Sequence, residues 1–151
     1  MKVITVNKKA YHDYQVLETL EAGIVLAGDE VKSLRLGHAQ LKGSFAHISQ
    51  GELFLVNAHI SAYQKAFDKN KGEEYTTRRR KLLLSRRELD RLIGDIARKG
   101  VAVVPLKIYF NARGKVKVEL GICKGKKKAD KRDALKERDI KRQAEREIRG
   151  R

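Results

Sequence analysis

The spacing of apolar residues changes period several times along the chain. Tyr14 to Leu20 and Ile24 to Leu26 are short apolar-rich runs on either side of Glu21-Ala22-Gly23, a pattern that predicts a first hairpin. From Gly28 to Gly37 the spacing lengthens. Asp29 opens this segment, Val31 and Leu34 fall three apart and Gly37 closes it, which predicts a two-turn helix. Phe45 to Ile48 and Leu53 to Ile60 flank Ser49-Gln50-Gly51 and predict a second hairpin, with glycine supplying the positive φ of a tight turn. Ser85 and Glu88 have the spacing of a capping box ahead of Leu89, Leu92, Ile93 and Ile96 on one helical face, and Gly100 ends that helix. Val101 to Phe110 and Lys115 to Cys123 form a third hairpin, in whose second strand Val116, Val118, Leu120 and Ile122 alternate with polar positions. The first dozen residues are polar and basic and read as a cationic arm with at most a short helical turn. Residues 64–81, with Lys65, Lys69, Lys71 and Arg78 to Lys81, read as a basic loop.

Three hairpins with helices between them predict a mainly β protein with flanking helices: a small closed antiparallel six-stranded β-barrel of oligonucleotide-binding type, in which closure removes the sheet edges. This unit is expected over residues 1–123. From Lys124 onward the composition changes, because the last 28 residues carry a net +7 against +9 for the preceding 123. Leu135, Ile140, Ala144 and Ile148 make only a thin apolar stripe, too little to offset the ordering cost of a free helix. Two well-oriented pairs, Glu137 to Lys141 and Glu145 to Arg149, add about 0.2 to 0.5 kcal/mol each. Residues 124–151 are therefore expected to be a basic tail, disordered when free and helical once a partner shields its charge.

The formal charge of +16 calls for a polyanionic partner. The sequence has no apolar run long enough to span a bilayer, and its start lacks the apolar core of a secretion signal, so a cytoplasmic, monomeric protein without a membrane role is expected. Cys123 is the only cysteine and is expected to be a buried structural thiol. His12, His38, His47 and His59 lack metal-ligand spacing; His47 and His59 could face each other across the second hairpin, where packing accounts for them better than a metal. No catalytic set emerges, and neither a cofactor nor enzymatic activity is expected.

Nucleic acid is the polyanion these features suit. Glu30, Lys32, Ser33 and Arg35 offer an acceptor and several donors within one short helix, suited to base edges and phosphates of a folded RNA loop. An acidic residue near a helix N-terminus is more usually dipole compensation. Lys8, Lys9 and His12 supply charge from the arm. Arg78, Arg79 and Arg80 read most simply as an exposed cluster making general phosphate contacts. Among Tyr11, Tyr14, Tyr63, Tyr75 and Tyr109, any of which could stack on a base, Tyr75 in the basic loop is preferred to Tyr109.

Several strings occur together in order: Asn7 to Tyr14, Glu21 to Leu26, Glu30 to Arg35, Leu55 to Ser61, Arg80 to Leu84, Val104 to Lys107 and Asp130 to Arg132. Along nearly its whole length the chain resembles the small protein B family, the SsrA-binding proteins that accompany transfer-messenger RNA. The resemblance implies a non-catalytic role in trans-translation, the rescue of bacterial ribosomes stalled on messages without a stop codon. It implies that the barrel grips the tRNA-like domain of that RNA, while the tail enters the small-subunit decoding centre and mRNA channel. It implies an RNA surface formed by Glu30, Lys32, Ser33 and Arg35 with His12, Asn57, Lys124, Gly125 and Lys126 beside it. Asp130, Lys131 and Arg132, continued by Ile140, Lys141 and Arg142, resemble the tail motif for ribosomal accommodation. Elongation factor Tu and alanyl-tRNA synthetase would be neighbours on the same RNA. A structural ribosomal or general RNA-chaperone protein is the alternative, requiring only charge and barrel.

Overall fold

Alternation of polar and apolar residues recurs along the chain, and strand is the commonest element among the described residues. The computed structural model describes residues 1–62 and 73–126. Its elements are β1 (Lys2–Val6), α1 (Lys8–Asp13), β2 (Tyr14–Ile24), α2 (Gly28–Arg35), β3 (Ala39–Gln40), β4 (Phe45–Ser49), β5 (Glu52–Val56), β6 (His59–Ile60), α3 (Glu73–Thr76), β7 (Arg80–Leu83), α4 (Arg86–Lys99), β8 (Ala102–Phe110) and β9 (Val116–Gly125). The expected tail residues Asp130, Lys131, Arg132, Ile140, Lys141 and Arg142 lie outside the described residues, as do Tyr63, Lys65, Lys69 and Lys71.

Seven strands form one antiparallel sheet in the order β1-β8-β4-β5-β7-β2-β9, and β8 also pairs with β9. The pairings therefore run in a ring through β8, β4, β5, β7, β2 and β9, with β1 added outside it. The β2–β9 and β8–β9 ladders are long, whereas β4 meets β8 only at Ala46 opposite Val103 and β2 meets β7 only at Gly23 and Ile24. β3 and β6 form a separate two-stranded sheet. Inside the ring Ala22, Leu53, Leu55, Leu82, Val103, Ile108, Val118, Leu120 and Ile122 make the main core. Truncating a fully buried leucine such as Leu55 to alanine would cost about 2 to 5 kcal/mol.

Helix α4 covers part of this core. Ser85 Oγ accepts from the Glu88 N–H at 3.2 Å, Glu88 Oε1 accepts from the Ser85 N–H at 3.4 Å, and Gly100 ends the helix at φ 62°, the αL cap that favours glycine. Leu92 is buried, with Leu89 and Ile96 packed beside it. On the helix's other side Arg91 clasps both Glu18 carboxylate oxygens at 2.7 Å. The β4–β5 turn places Gln50 at φ 51° and Gly51 at φ 74°, the two left-handed residues of a type I′ hairpin.

Four expectations are corrected. Tyr14 to Ile24 is one strand, with no hairpin at Glu21-Ala22-Gly23. Leu20, Ala22 and Ile24 keep facing the core, so the period never breaks, and Gly23 marks where β2 passes from β9 to β7. The first dozen residues are not a free arm: Lys2–Val6 pairs with β8 and Lys8–Asp13 is helical. The second hairpin ends at Val56, and His59–Ile60 pairs elsewhere, so His47 lies opposite Phe54 and His59 opposite Gln40. The expected basic loop contains α3 and then enters the sheet as β7, which begins at Arg80. In addition, β9 runs past the expected break after Cys123, because Lys124 and Gly125 pair through their backbone with Gln15 and Tyr14.

Cys123 has no exposed surface, and burial pushes its thiol pKa upward. Since the thiolate is the reactive form, native protein should resist a thiol-specific reagent at neutral pH and react fully once unfolded. Rapid stoichiometric labelling of the native protein would show that this packing opens readily.

Candidate nucleic-acid interface

Helix α2 starts after Ala27, whose methyl side chain cannot cap the free N–H groups. Glu30 reaches back instead, accepting from the Ala27 N–H at 2.9 Å. Its carboxylate is only 2 % exposed, so its remaining lone pairs need partners within the protein. Arg80 Nε donates to Glu30 Oε2 at 2.6 Å, and Arg78 Nη2 donates to Oε1. Arg80 is fully buried, and the rest of its fork goes to backbone carbonyls: Ala58 at 2.7 Å and Arg78 at 3.3 Å from Nη1, Thr76 at 2.9 Å and Tyr75 at 3.5 Å from Nη2. Only a guanidinium can satisfy that many acceptors in one plane. Tyr75 Oη donates to Asp29 Oδ1 at 3.0 Å, fixing the same segment to the first turn of α2 a second time.

Burial on its own would raise the Glu30 carboxyl, but hydrogen bonds from Arg78, the Ala27 N–H and Arg80, with the Arg80 charge, outweigh it and hold the pKa below the usual value. At Arg80 burial outweighs the attraction of Glu30 and lowers the guanidinium's pKa; arginine's reference value is so high that it stays charged near neutrality.

This network assembles a basic rim from three segments. Asn57 stands exposed at φ 63°, a left-handed position that asparagine tolerates well. The next residue is Ala58, whose carbonyl holds Arg80. Lys32 and Arg35 are exposed on α2, and Arg79 is exposed with its guanidinium 4.0 Å from the Phe54 ring centroid. Arg78 is partly exposed and sits 5.7 Å from the Tyr75 ring.

A second basic group lies around α1. Asn7 caps this helix through Oδ1, which accepts from the Ala10 N–H at 3.1 Å. Its Nδ2 donates to Pro105 O at 2.9 Å and Leu41 O at 3.3 Å, and its backbone N–H to Leu106 O at 2.7 Å. Lys8 and Lys9 are thereby held exposed on the first turn, above a cleft that Gln40, Leu41 and Lys42 also line. At the other end His12 Nδ1 lies 3.0 Å from Asp13 Oδ1, while Lys126 bonds through its N–H to Asp13 O and through Nζ to Tyr11 O. The two groups are linked: Ser33 Oγ donates to Ser61 O at 2.6 Å, β6 pairs with β3, and Leu41 beyond β3 accepts from Asn7.

The structure thus brings Lys32, Arg35, Asn57, Tyr75, Arg78 and Arg79 together, and separately Lys8, Lys9 and His12 with Lys124, Gly125 and Lys126. It corrects the expectation of outward-facing side chains at Glu30, Ser33 and Arg80. All three are buried, because the helix N-terminus and the backbone carbonyls beneath it absorb their polar atoms. Tyr75 has its hydroxyl engaged by Asp29 and Arg78 beside its ring, so it is no open platform. Tyr109 is buried against the Glu21 carboxylate, and burial followed by that hydrogen bond and charge raises its phenol pKa. Asn7 and Lys42 were not singled out from sequence. Asn7 did carry a signal, an N-cap residue directly ahead of a helix; Lys42 carried none.

A carboxyl whose folded pKa is depressed contributes stability in full above its ordinary range and loses it as pH falls through the folded value. Thermal melts from about pH 6 down to about pH 3 should show an acid-induced fall in Tm that Glu30→Gln flattens. An identical acid limb in the variant would mean that other carboxylates carry it.

The family model described as SmpB protein matches residues 4–150. The SsrA-binding protein of Coprothermobacter proteolyticus is 49% identical over 147 residues, 97% of each chain, and that of Caldicellulosiruptor bescii is 54% identical over 149 residues, covering 99% of this chain and 89% of its own. Among solved structures, a chain from "tmRNA-SmpB: a journey to the center of the bacterial ribosome" is similar at 48% identity with a TM-score of 0.68, covering 89% of this chain and 95% of its own. On the span of the family model and the level of these identities, the chain belongs to the SmpB protein family.

Proposed function

We propose that this protein binds the tRNA-like domain of transfer-messenger RNA and delivers it to stalled ribosomes for trans-translation, acting in the cytoplasm as a binder without catalysis. The observation that carries the reading is identity near one half, over nearly the whole chain, to SsrA-binding proteins and to a chain solved in a tmRNA and ribosome context. The geometry supports it. The ring of strand pairings is read as a closed six-stranded barrel of oligonucleotide-binding type, and the two linked basic groups give it a surface of fixed cations. Lys32, Arg35 and Asn57 with Arg78 and Arg79 are proposed to read the RNA fold, and Lys8, Lys9, His12 and Lys124 to Lys126 to bind its backbone. Asp130, Lys131 and Arg132, with Ile140, Lys141 and Arg142, are proposed to serve the decoding centre and mRNA channel. Elongation factor Tu and alanyl-tRNA synthetase are neighbours on the same RNA in this scheme.

Phosphate contacts alone bind any RNA and weaken together as salt rises, whereas a shaped site retains its preference. Titration against transfer-messenger RNA and an ordinary tRNA, over a range of salt with competitor RNA present, should show a preference for the former that persists at high salt. Equal binding that collapses together would make a general RNA-chaperone or structural ribosomal protein the better reading.

Deleting residues from Asp130 onward should leave binding to the isolated tRNA-like RNA largely intact while abolishing rescue of stalled ribosomes in a reconstituted translation system. Comparable loss of both would defeat the proposed division of labour.

A further inference from the structure

We propose that Arg80 is a positioning residue for RNA recognition: buried beneath the surface, it sets the relative placement of α2, the Asn57 turn and the Arg78–Arg79 segment without touching RNA itself. This rests on the RNA-binding reading above.

Arg80 has no exposed surface, and its partner Glu30 is 2 % exposed, so neither side chain can reach a phosphate without the surface opening. A buried ion pair is a weak source of net stability, because apolar residues of similar volume often serve as well or better. What apolar residues cannot supply is direction. From one planar fork Arg80 reaches Glu30 on α2, the Ala58 carbonyl after the left-handed Asn57, and the carbonyls of Tyr75, Thr76 and Arg78. Each of those three segments carries exposed or partly exposed side chains of the basic rim: Lys32 and Arg35, Asn57, and Arg78 and Arg79. The segments are far apart in sequence, and this one guanidinium bonds to all three, whereas Arg78 to Glu30 and Tyr75 to Asp29 tie only α2 to the Tyr75–Arg79 segment. A site that must match a folded RNA tolerates little relative movement among its contacts, which gives a physical reason for an arginine at the first residue of a strand otherwise facing an apolar core.

The test compares the wild-type protein with Arg80→Lys, which keeps the charge and loses the fork, and with the double variant Glu30→Met/Arg80→Met, which replaces the pair by apolar bulk. Each is measured for Tm, for affinity to the tRNA-like domain and to an ordinary tRNA, and for the salt dependence of both. The double variant is expected to fold with a lower Tm than the wild type, because the Ala27 N–H and the carbonyls that Arg80 holds lose their partners. Both variants should lose preference for the tRNA-like domain by about tenfold or more, with the salt slope unchanged because no phosphate contact has gone. Lys9→Ala, by contrast, should make the slope shallower. If the double variant does not fold, Arg80→Lys carries the test on the same readouts. A folded variant that discriminates as the wild type does overturns the proposal, and so does a loss of preference accompanied by a shallower slope, which would place Arg80 on a phosphate. A wild-type protein that does not discriminate overturns the RNA-recognition reading and this proposal with it.

Discussion

Placing a carboxylate and a guanidinium out of reach of water costs several kcal/mol for each ion, and this fold accepts that cost where helix α2 meets β7. Once Glu30 is turned inward to complete the N-terminus of its own helix, a cation must follow it down. Once Arg80 follows, four carbonyls must be brought to its fork. The left-handed turn at Asn57 is one way the chain meets that demand, and the turn of α3 ahead of β7 is the other. The exposed basic side chains nearby inherit their positions from this buried arrangement.

β8 contributes both of its edges: one to β9 along its length, the other first to β4 and then to β1. Pro105, which has no N–H to donate, sits where the β8–β9 register shifts, a place where proline is tolerated in a sheet. The apolar residues of α4 add to the core from Leu89, Leu92 and Ile96. Charged ties such as Arg91 to Glu18 fasten the helix from its exposed face.

Much of this was legible in the sequence, and the failures have a common cause. The capped helix after Ser85, the helix after Ala27, the Gln50-Gly51 turn and the final hairpin each carry a local signal that tertiary structure leaves untouched. β1 and β7 were missed because their cues are tertiary: Lys2–Val6 is an added strand with both Val3 and Val6 exposed, and β7 opens with an inward-facing arginine where a periodicity argument expects an apolar residue. The same blindness explains Glu30 and Ser33. Residue type indicated polar chemistry at α2 and could not indicate which way it faced, since the donors to Glu30 come from Arg78 and Arg80 and the acceptor for Ser33 from Ser61, well along the chain.

Between the stretch of β8 that pairs with β4 and the stretch that pairs with β1, two successive carbonyls, Pro105 and Leu106, face an interval that neither strand fills. Asn7 occupies that interval with both of its donors, one from the side chain and one from the backbone, and α1 begins at the next residue. Lifting α1 away from the surface would have to break both of these bonds to β8, the strand that pairs with three others among the described residues. Helix and sheet are coupled as a lever is to its fulcrum, so a partner that grips Lys8 and Lys9 pulls on the whole body and not on a loose end.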